Sequence, residues 1–181
     1  MARLLPALGL LSVLLLTGLL TAQGLGAPFD DSDQGWGGAL YSLAARNLLR
    51  YPPSTTLLAM CVEPGAPVAA PEVYFNHPPM VAWLVALSFV LFGESEWAAR
   101  LPMWGLSLGA AGALYGVLLR LVAGRDRVGW AAAGTLAAVG CPAWVYYGSM
   151  VDPQGSGVLF AVALACLGAA RWLDGGRRRD A

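Results

Sequence analysis

The sequence predicts an all-α integral membrane protein with about four transmembrane helices and two interfacial helices in its first long loop. Three observations carry that prediction. Charged residues make up 12% of the chain and hydrophobic residues 57%, about half the charged share of an ordinary soluble domain, and the mean hydropathy is +0.60. The apolar residues gather into long uncharged runs, and a run of roughly 20 is what a helix needs to cross a bilayer. With four of these runs taken as spans, the arginines and the acids fall into loops on opposite sides. The formal net charge is zero, and no basic surface suggests a nucleic-acid partner.

Residues 4–22 are apolar behind Arg3 and form the first span. A cleaved signal peptide is the competing reading. The stretches Leu20-Thr21-Ala22 and Leu25-Gly26-Ala27 put leucine where a cleavage site needs a small residue, which favours a retained helix. Residues 23–96 form a long loop on the far side. Within it, Asp30, Asp31 and Asp33 precede an amphipathic segment at about 35–51, where Trp36, Leu40, Leu43, Ala44 and Leu48 recur at helical spacing. Ser42, Arg46, Asn47 and Arg50 occupy the opposite face, so this helix is expected to lie along the membrane surface. Tyr51-Pro52-Pro53 ends it, and residues 52–73 read as irregular loop. Residues 79–92 are apolar for only about 14 positions, which suits an interfacial helix better than a crossing. Residues 97–122, 128–148 and 157–173 are the second, third and fourth spans. Residues 149–156 are a second polar loop, and 174–181 a basic tail.

Charge decides the topology. If residues 79–92 do not cross, Arg3, Arg125, Arg127 and Arg177–Arg179 all fall on the cytoplasmic side, as the positive-inside rule requires. The acids at 30–33, His77, Glu94, Glu96, Arg100 and Asp152 then share the outer side. If they do cross, the Arg125/Arg127 turn moves outside and Asp152 is parted from the other acids.

Acids close to a bilayer are costly and are usually paired or functional, and such a carboxylate can serve as a general base. For Asp30, Asp31 and Asp33 the competing role is helix N-capping, and for Asp152 a turn before Pro153. His77 and Arg100 are cationic candidates for a phosphate. The competing roles are a helix cap for His77, and for Arg100 an interfacial arginine or a partner of Glu94 or Glu96. Trp36, Tyr41, Tyr74, Trp83, Trp97, Trp144, Tyr146 and Tyr147 read as an aromatic belt, with sugar stacking by one or two as the rival. Gly105, Gly109 and Gly112 suit close helix packing. Cys61, Cys141 and Cys166 are an odd, scattered set that fits neither a disulfide framework nor a zinc site. No Walker loop, G-x-G-x-x-G at a strand, H-E-x-x-H or G-x-S-x-G occurs, so nucleotide-dependent chemistry has no support. No motif calls for a cofactor. The acids lack metal-ligand spacing, which leaves a divalent cation only as an open candidate.

The ordered set of motifs then resembles a known family. The acidic start is followed by Trp36-Gly37-Gly38-Ala39-Leu40-Tyr41, His77-Pro78-Pro79, Leu91-Phe92-Gly93-Glu94-Ser95-Glu96, Ala99-Arg100-Leu101-Pro102 and Tyr146-Tyr147-Gly148-Ser149-Met150-Val151-Asp152. Together these resemble the N-terminal part of the polyprenyl-phosphate-sugar-dependent glycosyltransferases of the glycosyltransferase C fold. That group includes the protein O-mannosyltransferases and the transferases that add aminoarabinose to lipid A. The resemblance implies an inverting transferase in the bacterial plasma membrane, multi-pass and active on the outer side. Its donor would be a polyprenyl-phosphate sugar, its acceptor a protein, lipid or glycan, and membrane lipid its surroundings. It implies Asp33 as the base, with Asp31 and Asp30 as rivals, and Asp152 as the acid of the second loop. His77 and Arg100 would meet the donor phosphate, with Glu94 and Glu96 as acidic partners. Gln34 departs from the acidic pair that many relatives carry in this loop. Relatives have roughly a dozen spans, so the resemblance also implies that this chain is the N-terminal part of such an enzyme. The alternative function is a non-catalytic small membrane subunit or lipid-phosphate-binding module.

Overall fold

A computed structural model describes residues 4–62, 73–74 and 76–177. Most of the expected irregular loop (63–72) and the end of the basic tail (178–181) lie outside the described residues. Among those described, the regular elements are helices, with one isolated antiparallel bridge between Cys61 and Val73. Three helices are long and apolar enough to cross a membrane: Leu4–Gly24, Glu96–Leu121 and Gln154–Leu173.

The first helix, α1 (Leu4–Thr21), runs into a single 3-10 turn at Ala22–Gly24. Its buried positions Val13, Thr17 and Thr21 recur every fourth residue and form one stripe, while Leu8, Leu11, Leu15 and Leu19 are exposed. The threonine hydroxyls donate to the carbonyls of Val13 and Thr17, each at 2.7 Å, so the stripe buries no unpaired hydroxyl.

The central helix is α5 (Glu96–Leu121), capped by Ser95, whose Oγ accepts from the Ala98 amide at 3.3 Å. It packs against α1, α4 (Met80–Phe92), α6 (Arg127–Val139) and α8 (Val158–Arg177). Glycines make these approaches close. Gly109 meets the Phe160 ring, Gly112 meets Leu10 and Leu14, and Gly116 meets Leu167, whereas Gly105 faces open space.

Pro102 sits inside α5 and has no N–H, so the Ala98 carbonyl one turn back loses its helical partner. The hydroxyl of Ser88 on α4 donates to that carbonyl at 2.6 Å. The proline thus creates a buried acceptor, and the neighbouring helix docks by filling it.

Residues 128–148, expected as one continuous span, form two helices. α6 ends at Val139, and α7 (Pro142–Tyr147) begins with proline at its first position. That proline cannot donate, and its ring excludes the carbonyl of Ala138. The Trp144 indole donates to Ser107 Oγ at 2.9 Å and pins α7 to α5.

The amphipathic segment is α2 (Asp33–Arg50). Its buried face is only partly the expected one. Gly35, Gly37, Gly38, Tyr41, Ser42, Ala44, Ala45 and Asn47 are buried, while Trp36 is 60% exposed and Leu40 and Leu43 are half-buried. Ser42 and Asn47 had been expected on the polar side. The reason is packing: small residues let α2 lie tightly on α4 and α5, with Leu40 and Leu48 against the same core and Trp36 facing outward. Asn47 Nδ2 donates to the Cys61 carbonyl at 2.8 Å, which makes its burial tolerable. Helix α4 shows the same division. Val81, Ala82, Val85, Ala86 and Phe89 are buried, while Met80, Trp83, Leu87, Val90 and Leu91 are exposed. A short helix, α3 (Pro53–Thr56), follows α2.

Candidate active site

The acidic turn, Glu96, Arg100 and the segment that carries Asp152 lie where α1 stops and α5 starts, while His77 lies at the other end of α4, against Tyr41 of α2. The turn that carries the acids is held from three directions. The Phe29 amide donates to Glu96 Oε1 at 3.2 Å. The Arg100 guanidinium lies over the Phe29 ring, 4.7 Å from its centroid, and donates to the Ala27 carbonyl. On the other side of the turn the Phe29 ring presses on Gly38 and the Asp30 backbone presses on Gly35, so closely that neither glycine could carry a Cβ.

Within the turn, Asp30 Oδ1 accepts from the Ser32 amide at 3.1 Å and from the Ser32 hydroxyl. Ser32 is the N-cap of α2, and its Oγ accepts from the Gly35 amide at 3.2 Å. The Ser32 hydroxyl first, then its amide, hold the Asp30 carboxyl below the ordinary carboxylate range, and the charge of Arg100 adds to this. Asp31 is exposed. Asp33 is the first helical residue of α2, and its side chain lies outside the described residues.

Opposite this turn lies the segment 148–152. Gly148 rests against Thr21 and Gly24 against Ser149, which fixes the segment to the end of α1. The Val151 carbonyl stands 3.2 Å from where a Cβ on Gly37 would be, so the second loop touches the first turn of α2. Asp152 Oδ1 accepts from the Gln154 amide at 2.6 Å, closing a turn ahead of the π-type segment Pro153–Gly157.

His77 follows Asn76 and enters the double proline that starts α4. Its Nδ1 lies 2.8 Å from the Tyr41 hydroxyl, and Tyr74 meets its ring edge-on at 5.5 Å between centroids. Tyr41 is 1% exposed. Burial first, then the negative charge of Asp152 and the neighbouring Tyr74, push its phenol above the ordinary tyrosine value. Tyr41 therefore stands between the histidine of the first loop and the acid of the second.

Sequence reasoning had placed Tyr41 and Tyr74 in an aromatic belt. The available signal was position: Tyr41 interrupts a stripe of glycine and alanine on α2, which marks the packed face. Arg100 is 2% exposed, with Glu96 and Asp30 as its nearby negative charges, while Glu94 pairs with Arg46 at 2.8 Å. Two cavities open beside these groups. One of about 480 Å³ is lined by Cys141, Trp144, Tyr147, Asp152, Gln154 and Leu159, among others. One of about 310 Å³ is lined by residues that include Phe29, Ser42, Arg46, Glu94 and Glu96. Among the described residues no group of three or more His, Cys, Asp or Glu side chains is placed to hold a metal ion.

The family model described as dolichyl-phosphate-mannose-protein mannosyltransferase matches residues 76–180, more than half of the chain. The matched stretch includes His77, Glu94, Glu96, Arg100 and Asp152 and begins after the acidic turn at 30–33. No curated protein and no solved structure matches the chain. Three apolar helices of crossing length and this match together describe a multi-pass membrane protein of the glycosyltransferase C type. The chain belongs to the dolichyl-phosphate-mannose-protein mannosyltransferase family.

Proposed function

We propose that the chain contributes the donor end of a membrane glycosyltransferase, which moves a sugar from a polyprenyl phosphate to an acceptor on the outer face of the membrane. The observation that carries this reading is the link from His77 to Tyr41, which also feels the charge of Asp152, on the helix whose first turn carries the acids, inside a family of glycosyl transferases. His77 offers a ring nitrogen to the donor's phosphate. Asp33, with Asp31 as its rival, takes the proton of the acceptor hydroxyl or amine as it attacks the anomeric carbon. The polyprenyl phosphate leaves with the bonding electrons, and inversion follows from a single displacement. Asp30 is taken up by its cap and is assigned no proton. Asp152 bounds the larger cavity, where Trp144 and Tyr147 offer apolar faces suited to a sugar or an isoprenoid. Arg100 acts by holding the acidic turn, and a direct contact with phosphate requires Phe29 to move off its guanidinium.

The helix pair at 127–147 serves as a further crossing in this reading. Arg125 and Arg127 then lie in the cytoplasm, and the acids with His77 lie outside, in the plasma membrane of a bacterium.

The test is transfer from a polyprenyl-phosphate sugar by the full-length protein in reconstituted membranes. Asp33→Asn is expected to lower turnover by at least about a hundredfold, the scale of losing a general base, with membrane insertion unchanged. Full turnover by both Asp33→Asn and Asp31→Asn would overturn the assignment of the base.

A further inference from the structure

We propose that Tyr41 is the positioning residue of the phosphate-facing histidine: its hydroxyl holds Nδ1 of His77, so that the imidazole presents a hydrogen on Nε2 to the donor. The proposal rests on the reading of His77 given above and adds to it a residue that decides how the ring is used.

The geometry is specific. The Tyr41 hydroxyl and His77 Nδ1 are 2.8 Å apart. The two rings are within 8° of parallel, yet their centroids are 6.2 Å apart. That separation is close to a phenol radius, a hydrogen bond and an imidazole radius laid end to end. The rings therefore lie side by side in near-parallel planes and touch through the hydroxyl and Nδ1. Tyr74 stands against the ring edge-on and limits its rotation. Tyr41 is itself fixed: it lies in the core where α2 meets α4, with Ala44, Ala45, Val81 and Val85 in the same cluster.

The direction of the bond follows from chemistry. A phenol that keeps its proton can donate, and the surroundings of Tyr41 favour the protonated form. When Tyr41 donates, Nδ1 accepts, and the neutral imidazole carries its hydrogen on Nε2. A neighbour bonded to one ring nitrogen sets what the other nitrogen can do, as it does for metal-bound histidines. Without the hydroxyl, the ring is free to place its hydrogen on Nδ1, and Nε2 then turns a lone pair towards an anionic phosphate.

Tyr41→Phe removes the hydroxyl and keeps the ring. In the full-length protein, the KM for the polyprenyl-phosphate sugar is expected to rise roughly tenfold, the scale of a lost hydrogen bond to a group that binds charge. kcat should change by less than about twofold, since the contact is made to the bound ground state as well. The same substitution is then placed in a His77→Lys background. A lysine ammonium donates from any of its hydrogens and needs no tautomer fixed, so Tyr41→Phe should there move KM by less than about twofold. A tenfold rise in both backgrounds, or an unchanged KM for Tyr41→Phe alone, overturns the proposal. So does a large fall in melting temperature that tracks the loss in both backgrounds, because the role is then structural. His77→Ala separates the two levels: an unchanged KM there removes the phosphate reading itself, whereas a raised KM with a silent Tyr41→Phe removes only the positioning role.

Discussion

The contact between Ser88 and the Ala98 carbonyl makes a sharp prediction, because its cause is known. Pro102 takes away the amide that would have bonded Ala98 in a regular helix. Ser88 supplies the replacement at 2.6 Å, from a residue 5% exposed to one fully buried. Ser88→Ala leaves that carbonyl unsatisfied in a dry interface, which costs about 1–3 kcal/mol. For a chain of this size about 2 kcal/mol corresponds to a fall of roughly 4–8 °C in melting temperature, read as an apparent midpoint in detergent. In a Pro102→Ala background the amide of residue 102 returns to bond Ala98. Ser88→Ala should then cost about 0.5–1 kcal/mol, leaving a coupling of about 1 kcal/mol between the two sites at the central value. An equal loss from Ser88→Ala in both backgrounds would show that the serine matters for some reason other than the proline, and the account of how α4 docks would fall.

Two further outcomes are expected. Gly38→Ala places a methyl group in the Phe29 ring. It should lower stability by about 1–3 kcal/mol through overpacking and reduce transfer by shifting the acidic turn, with Gly26→Ala, which faces open space, as the silent control measured by the same melting and transfer assays. In a background without Cys61, Cys141 and Cys166, single cysteines at the exposed positions Ser54 and Gln154 should react with an impermeant thiol reagent from outside intact cells, and one at Arg125 should not. Opposite labelling of Ser54 and Gln154 would break the shared-side arrangement and with it the proposed site.

Much of the fold was legible because lipid imposes simple demands. The runs at 4–22, 97–122 and 157–173 had the length of a crossing and became α1, α5 and α8. The break in the run at 128–148 could be read from Gly140-Cys141-Pro142, but hydropathy averages over such a break. The facing of α2 was legible from hydropathy only in part. In water a helix buries its large apolar residues, whereas here Trp36 points outward and Gly37, Gly38, Ala44 and Ala45 point in. Lipid is as apolar as leucine, so size rather than hydropathy decides which face meets the protein. The acids, the histidine and the arginine of the site were visible as residues. Tyr41, Phe29 and Ser88 were not, because each acts through a partner between 10 and 71 positions away in sequence (Ser88 on Ala98, Tyr41 on His77, Phe29 on Arg100).

The buried Arg100 also sorts the acids by task. A guanidinium 2% exposed is tolerable only where charge and hydrogen-bond acceptors surround it. The Ala27 carbonyl and the face of Phe29 supply part of that surrounding, and the carboxylates of Glu96 and Asp30 supply the opposing charge. Both acids have a second task in the same turn: Glu96 receives the Phe29 amide, and Asp30 receives both donors of Ser32. An acid committed in this way, and held below the ordinary carboxylate range as Asp30 is, is a poor proton acceptor. In the proposed reading the turn thus uses one acid to build itself and leaves the proton-accepting role to Asp31 or Asp33. That division gives a reason for several acids in so short a turn, and it makes Asp30→Asn a change in loop stability and Asp33→Asn a change in chemistry.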